Sequence, residues 1–177
     1  MRLAWMMPAA LVAAGCATLD ETECRNADWY LIGVEDGRGG WSADRLDSHR
    51  EACAELGVVP DQTRYEEGRE VGLVEYCTPA VGVEEGAAGN IYRNVCPEDT
   101  RSDFLRGFRV GQDMHKITDR MSAIDRDMRN LRNIMDSDNV DPNQRNEAYR
   151  RYQDLERQRQ QLQFELDRLY SRAQAII

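Results

Sequence analysis

Lysine is nearly missing from this chain: Lys116 stands alone beside 22 arginines in 177 residues. A bias that general reads as a compositional habit and not as a phosphate site. Histidine occurs twice, and neither C-x-x-C nor H-x-x-x-H spacing is present, so no metal and no cofactor is expected. His49 and Cys53 lie one helical turn apart, but without further ligands His49 reads as a surface or capping residue. The acidic stretch "DSDNVDPN" lacks the glycine and closing glutamate of a calcium loop, and is expected to be a solvated turn. Long apolar runs are also scarce. The first fifteen residues hold one, too short for a membrane span. Later glycine-spaced stretches carry Glu35, Asp36, Glu66, Arg69 and Arg106, which exclude burial in lipid.

Acidic charge is abundant but unevenly placed. Residues 16–100 hold 7 arginines against 19 acids, a net −12, whereas residues 101–177 hold 15 basic and 13 acidic side chains, a net +2. The acidic half repels nucleic acid and anionic lipid, so no nucleic acid is expected as partner.

At the start, Arg2 precedes "LAWMMPAALVAAG", an apolar segment closing on small residues, which is the layout of a secretory signal. The string "LVAAGC" resembles the lipobox of bacterial lipoproteins, although Ala13 stands where leucine is commonest. That resemblance implies cleavage before Cys16 and acylation of its sulfur and amine with chains such as palmitate. Each buried methylene is worth about 0.8 kcal/mol, and more than one chain gives stable anchoring. Ala17, where an inner-membrane lipoprotein often carries Asp, implies an outer-membrane anchor facing the periplasm. The expected layout is a signal peptide at 1–15, a lipidated N-terminus and short linker at 16–26, a helical domain at 27–113 and a hairpin at 114–177.

Within the remaining 162 residues the chain matches itself twice. Cys24 is followed nine residues later by Gly33 and then "VEDGRGG", and Cys77 nine residues later by Gly86 within "VEEGAAG". Each half then reaches a second cysteine, Cys53 or Cys96, and an aromatic before paired glycines, "YEEGREVG" or "FLRGFRVG". The cysteine-to-glycine spacing is 15 residues in one half and 11 in the other. Such repetition points to a supersecondary unit used twice.

The stretches read as helices. Asp28 is placed to cap "WYLIGVEDG", Ser42 to cap the segment ending at Gly57, and "QTRYEEGREVGLVEYC" follows the turn "VVPDQ". An interior glycine costs a helix about 1 kcal/mol relative to alanine. Glycines four apart lie on one face, however, and let another backbone approach closely. The spacing predicts close helix packing at Gly33, Gly37, Gly68, Gly72, Gly107 and Gly111, with Tyr30, Tyr65 and Phe104 buried beside it. Cys24, Cys53, Cys77 and Cys96 form an even set, expected to make two disulfides. Three pairings are possible; the duplication favours Cys24–Cys53 with Cys77–Cys96.

From Ile117 the apolar spacing becomes regular through Met121, Ile124, Met128, Leu131 and Met135. A second seam runs through Tyr152, Leu155, Leu162, Leu166, Leu169, Ala173 and Ile176, with Arg159 on it. Steps of four and three are those of a coiled coil. Asp141 and Pro142 start the second helix. The predicted fold is therefore all-α: a small disulfide-braced domain with glycine-paired helices, then an antiparallel helical hairpin.

The strings "ADWYLIGVEDG", "HREACAELGVVPD", "YEEGREVGLVEYC", "GAAGNIYRNVCP" and "FLRGFRVG" resemble a bacterial lipoprotein family described as domain of unknown function 2799. The likeness covers roughly residues 16–113. It departs at "TPAVG", where members tend to carry asparagine before the glycine. It implies no activity, substrate or catalytic residue.

No catalytic set is identified. The first functional expectation is an outer-membrane-anchored periplasmic lipoprotein acting as a structural or interaction module. Its partners would be the membrane, through the lipid, and an envelope protein, through the hairpin. One alternative is an envelope enzyme using carboxylates on glycan or peptide, drawn from Asp28, Glu35, Asp36 and Asp47 with His49. Another is a periplasmic ligand-binding or sensing module using the glycine grooves.

Overall fold

The computed structural model describes residues 18–177; the expected signal segment and Cys16 lie outside the described residues. Those residues form α1 (Glu21–Arg25), α2 (Trp29–Arg38), α3 (Arg45–Cys53), α4 (Gln62–Tyr76), α5 (Pro79–Ala87), α6 (Glu98–Asp136) and α7 (Pro142–Gln174), with no strand among them. The described chain is all-α.

Local chemistry starts most of these helices. Asp28 accepts hydrogen bonds from the Tyr30 and Leu31 amides at 3.1 and 3.2 Å, and Asp61 from the Arg64 amide at 3.1 Å. Thr78 caps α5 through the Val81 amide, with Pro79 in the first turn. The string "TPAVG" is thus a helix start. At α3 the expected Ser42 cap is not used. The Ser42 carbonyl instead closes a turn onto the Arg45 amide at 3.1 Å, and the helix begins at Arg45. A 3₁₀ turn, Ala54–Leu56, follows α3 and ends at Gly57, whose φ of +68° lies in the left-handed region that glycine adopts freely.

Two parallel helix pairs form the N-terminal body, α2 with α4 and α5 with α6. The pairs repeat one another, but not in the register that the cysteines suggest. Gly33 and Gly37 of α2 correspond to Gly82 and Gly86 of α5, so Gly86 matches Gly37 and not Gly33. Disulfides Cys24–Cys53 and Cys77–Cys96 brace one pair each, and all four residues are buried. Both first helices end in the same left-handed cap. The amide of Trp41 bonds the Asp36 carbonyl, and that of Asn90 the Glu85 carbonyl, each at 3.0 Å across Gly40 or Gly89.

Side chains then join the two units. Tyr76, at the end of α4, stacks on Phe104 of α6 at 5.1 Å between ring centroids. Arg93, from the segment before α6, lies over the Trp41 ring at 4.1 Å, and Arg45 over the same ring at 4.2 Å. The units are therefore packed on each other and share a core through Leu73, Tyr76, Phe104 and Phe108.

The 39-residue α6 runs unbroken through residues 113 and 114, where a domain boundary was expected. Its apolar stripe already begins inside the glycine-paired part. Val110, Met114, Ile117 and Met121 are buried with Val83 of α5 and with Leu166 and Ala173 of α7. Steps of four, three and four continue the same seam backwards, so nothing in the packing calls for a break. α7 packs on α6, and Ala148 extends its seam by one position. Arg159 sits on that seam and donates to Asp125 at 2.7 Å. Asp141 accepts from the Asn143 amide at 2.8 Å and starts α7 as expected.

Candidate functional site

The glycine faces are built to one pattern. A Cβ placed on Gly33, Gly37, Gly68 or Gly72 would fall first on a main-chain carbonyl oxygen of the opposite helix: Tyr65, Arg69, Tyr30 and Val34 respectively. In the second pair Gly82, Gly86, Gly107 and Gly111 meet the carbonyls of Phe104, Phe108, Pro79 and Val83 in the same order. Each glycine thus turns a Cα hydrogen toward a carbonyl across the interface, an arrangement suited to Cα–H···O contacts. The Gly37 and Gly72 backbones approach so closely that a Cβ on either would come within 2.9 Å of the other's Cα. The spacing predicted six of these eight positions. Gly82 and Gly86 were not among them, although "PAVGVEEGA" carries the same four-residue interval. Tyr65 and Phe104 are fully buried beside the faces, whereas Tyr30 is only half-buried, with Arg64 over its ring at 4.9 Å.

Of the residues considered for chemistry, only Asp36 and His49 come together, and they do so inside the first unit. Asp36 Oδ2 accepts from the Tyr65 hydroxyl and from His49 Nε2, each at 2.8 Å. Because a carboxylate only accepts, Nε2 carries a proton toward Asp36, and Nδ1 on the other side of the ring pairs with the Thr18 hydroxyl at 2.7 Å. His49 is 2% exposed and Tyr65 0%. His49 is therefore no surface residue: its neighbours lie 13 and 31 positions away in sequence, where local spacing gives no hint of them. Arg45 Nε stands 3.9 Å from Asp36 Oδ1, and partly balances the buried charge. Burial raises the Tyr65 phenol above its ordinary range, and the hydrogen-bonded Asp36 carboxylate adds to the effect. Asp28, Glu35 and Asp47 remain at the surface, apart from this cluster. A depression of about 300 Å³ between α3 and α4 is lined by Leu46, Tyr65 and Glu66 among others, but not by Asp36 or His49.

In the second unit Glu85 takes the place of Asp36 and Phe104 that of Tyr65, so the buried triad is not repeated. Tyr76 instead reaches toward Glu85 from the first unit, with its oxygen at 3.5 Å. Burial, then the Glu85 charge, pushes the Tyr76 phenol up to about 12. On the surface Arg38 binds Glu75 through both Nε and Nη2 at 2.8 Å, which lowers the Glu75 carboxyl below its usual range.

Among the described residues no group of three or more His, Cys, Asp or Glu is arranged to hold a metal ion, and no helix is long and apolar enough to cross a membrane. The hairpin carries open grooves along its seam. One, of about 580 Å³, has Ile117 and Leu169 at its apolar floor and Lys116, Arg120, Arg168 and Arg172 beside Asp113 and Glu165 at its rim.

Residues 28–113 match the model of a family described as protein of unknown function (DUF2799). This segment belongs to that family. The match begins at the Asp28 cap and ends just past Gly111, so the DUF2799 segment contains both sets of paired glycines and three of the four bonded cysteines. Cys24 and the hairpin lie outside it. No curated protein and no solved structure matches the chain.

Proposed function

We propose that this protein is an outer-membrane-anchored periplasmic lipoprotein, a structural or interaction module whose hairpin engages another envelope protein. The observation that carries the reading is how the polar groups are distributed. Asp36, His49 and Tyr65 are committed to one another inside the DUF2799 segment, while α6 and α7 extend from it with an accessible, loosely filled seam. Three methionines and Arg159 on the seams make a coil whose packing another helix can complete. The carboxylate-enzyme reading drew on Asp28, Glu35, Asp36 and Asp47 with His49; the burial of Asp36 and His49, apart from the other three, weighs against it. The acidic body and the lipobox-like start fit a periplasmic address.

The test is in-cell crosslinking with photoreactive residues at exposed hairpin positions such as Phe164 and Tyr170. One defined envelope protein should be captured from the hairpin positions and not from the control position Glu51. Equal capture from both would overturn the interaction reading. Radiolabelled palmitate should enter the wild-type chain and not Cys16→Ser; label in both would overturn the anchor.

A further inference from the structure

The stretch expected to be a linker, residues 16–26, is folded onto the body from its third residue. Three separate ties hold it, and a local capping box shapes it between them. The Thr18 hydroxyl bonds the buried His49 ring at 2.7 Å. Leu19 packs against the core of Trp29, Leu46 and Tyr65. Asp20 and Glu23 form a reciprocal capping box at 2.7 and 2.8 Å, which starts α1. Cys24 is then covalently joined to Cys53 of α3. Peeling the segment away would expose an apolar side chain and leave a buried imidazole nitrogen unpartnered, and the chain would still be held at Cys24.

An extended chain covers at most about 3.6 Å per residue, so the Cα atoms of residues 16 and 18 cannot be more than about 7 Å apart. That bound holds for any conformation of the residues between them. We propose that the lipid anchor has no flexible tether, and that the edge carrying residues 18–26 is held directly at the lipid headgroup layer. The inference rests on acylation of Cys16 as read above. It makes the molecule a fixed-length projection. The distance from lipid to hairpin tip is set by the fold and not by slack in the chain. A 39-residue helix is about 58 Å long at 1.5 Å per residue, so a partner bound at the hairpin tip lies within roughly that scale of the membrane. The edge itself is acidic, with Asp20, Glu21 and Glu23 against Arg25, so charge attraction to anionic lipid does not hold it there; the short covalent connection does.

The experiment uses the full acylated protein in phosphatidylethanolamine vesicles that carry a short photocrosslinker on a fraction of the headgroups. Crosslinked sites are mapped by mass spectrometry, and the mass of the N-terminal peptide reports acylation. Crosslinks should concentrate on residues 18–26 and be at least tenfold rarer on residues 137–141 at the hairpin turn. Insertion of twenty Gly/Ser residues after Ala17 should lower the label on residues 18–26 about tenfold while the protein stays in the vesicle fraction. Acylated protein labelled evenly along its length, or unaffected by the insertion, would overturn the fixed edge but leave the anchor standing. An N-terminal peptide without acyl chains would overturn the anchor, and this inference with it.

Discussion

Alanine at Gly72 gives the sharpest test of the glycine faces, because helix propensity and packing predict opposite signs. In an ordinary helix interior, Gly→Ala is stabilising by about 1 kcal/mol. Here the new Cβ would lie 2.7 Å from the Arg38 amide nitrogen and 2.9 Å from the Gly37 Cα, and closer still to the Val34 carbonyl oxygen. All three obstacles are main chain, so no rotamer change can relieve them. Restoring a normal separation of about 3.4 Å would move α2 away from α4 by more than half an ångström along their shared face. Overpacking typically costs about 1–3 kcal/mol, and a backbone obstacle belongs at the upper end. After the propensity gain, Gly72→Ala should destabilise by about 2 kcal/mol. Urea unfolding followed by far-UV circular dichroism, with disulfides intact, measures this as a midpoint lowered by about 1 M for a slope near 2 kcal/mol/M. Gly111→Ala, against the Val83 carbonyl and the Ala87 amide, should behave alike. Glu70→Ala, on the exposed face of α4, should change little. A midpoint for Gly72→Ala at or above wild type would refute the claim that these glycines permit backbone contact.

Removing the first disulfide as Cys24→Ala/Cys53→Ala opens a loop with a sequence separation of 29 and should cost about 3–4 kcal/mol in the chain-entropy model. Unchanged unfolding midpoints would contradict it. Asp36→Ala leaves the Tyr65 hydroxyl and His49 Nε2 without their acceptor and should cost about 2–4 kcal/mol by denaturant titration. Asp36→Asn should cost less, and equal losses would show that hydrogen bonding is not what holds the cluster. The Tyr76 phenol titrates higher in the folded than in the unfolded chain, so its contribution is full below about pH 10 and is lost as the pH rises toward 12. Tyr76→Phe should flatten the fall of stability across that window, and an equally steep fall in the variant would assign it elsewhere.

Much of the architecture was legible in the sequence because it rests on local period and on pairwise chemistry. Alternating steps of four and three announce the seams of α6 and α7. Asp28 and Asp141 mark helix starts, since a short acidic side chain reaches the free amides of a first turn. Even cysteine number and internal repetition singled out the pairing that the structure contains. Glycines at four-residue intervals announced faces where backbones meet, because the interval itself places them on one side of a helix.

The tertiary structure alone decided the rest. Which glycine faces which depends on how two helices slide against each other, and the cysteine spacing suggested a register four residues off. The burial of His49 was hidden for a related reason: its partners Asp36 and Thr18 come from other segments, and a polar residue is buried only when distant partners satisfy it. No composition shift could show that α6 passes through the expected boundary, since its apolar stripe continues from Val110 to Met121 without losing phase. Residues 18–26 look like a polar linker by type, yet the His49 ring, the core around Leu19 and the Cys53 sulfur fold them down. Periodicity sets what each segment can be; only the meeting of segments sets what each residue touches.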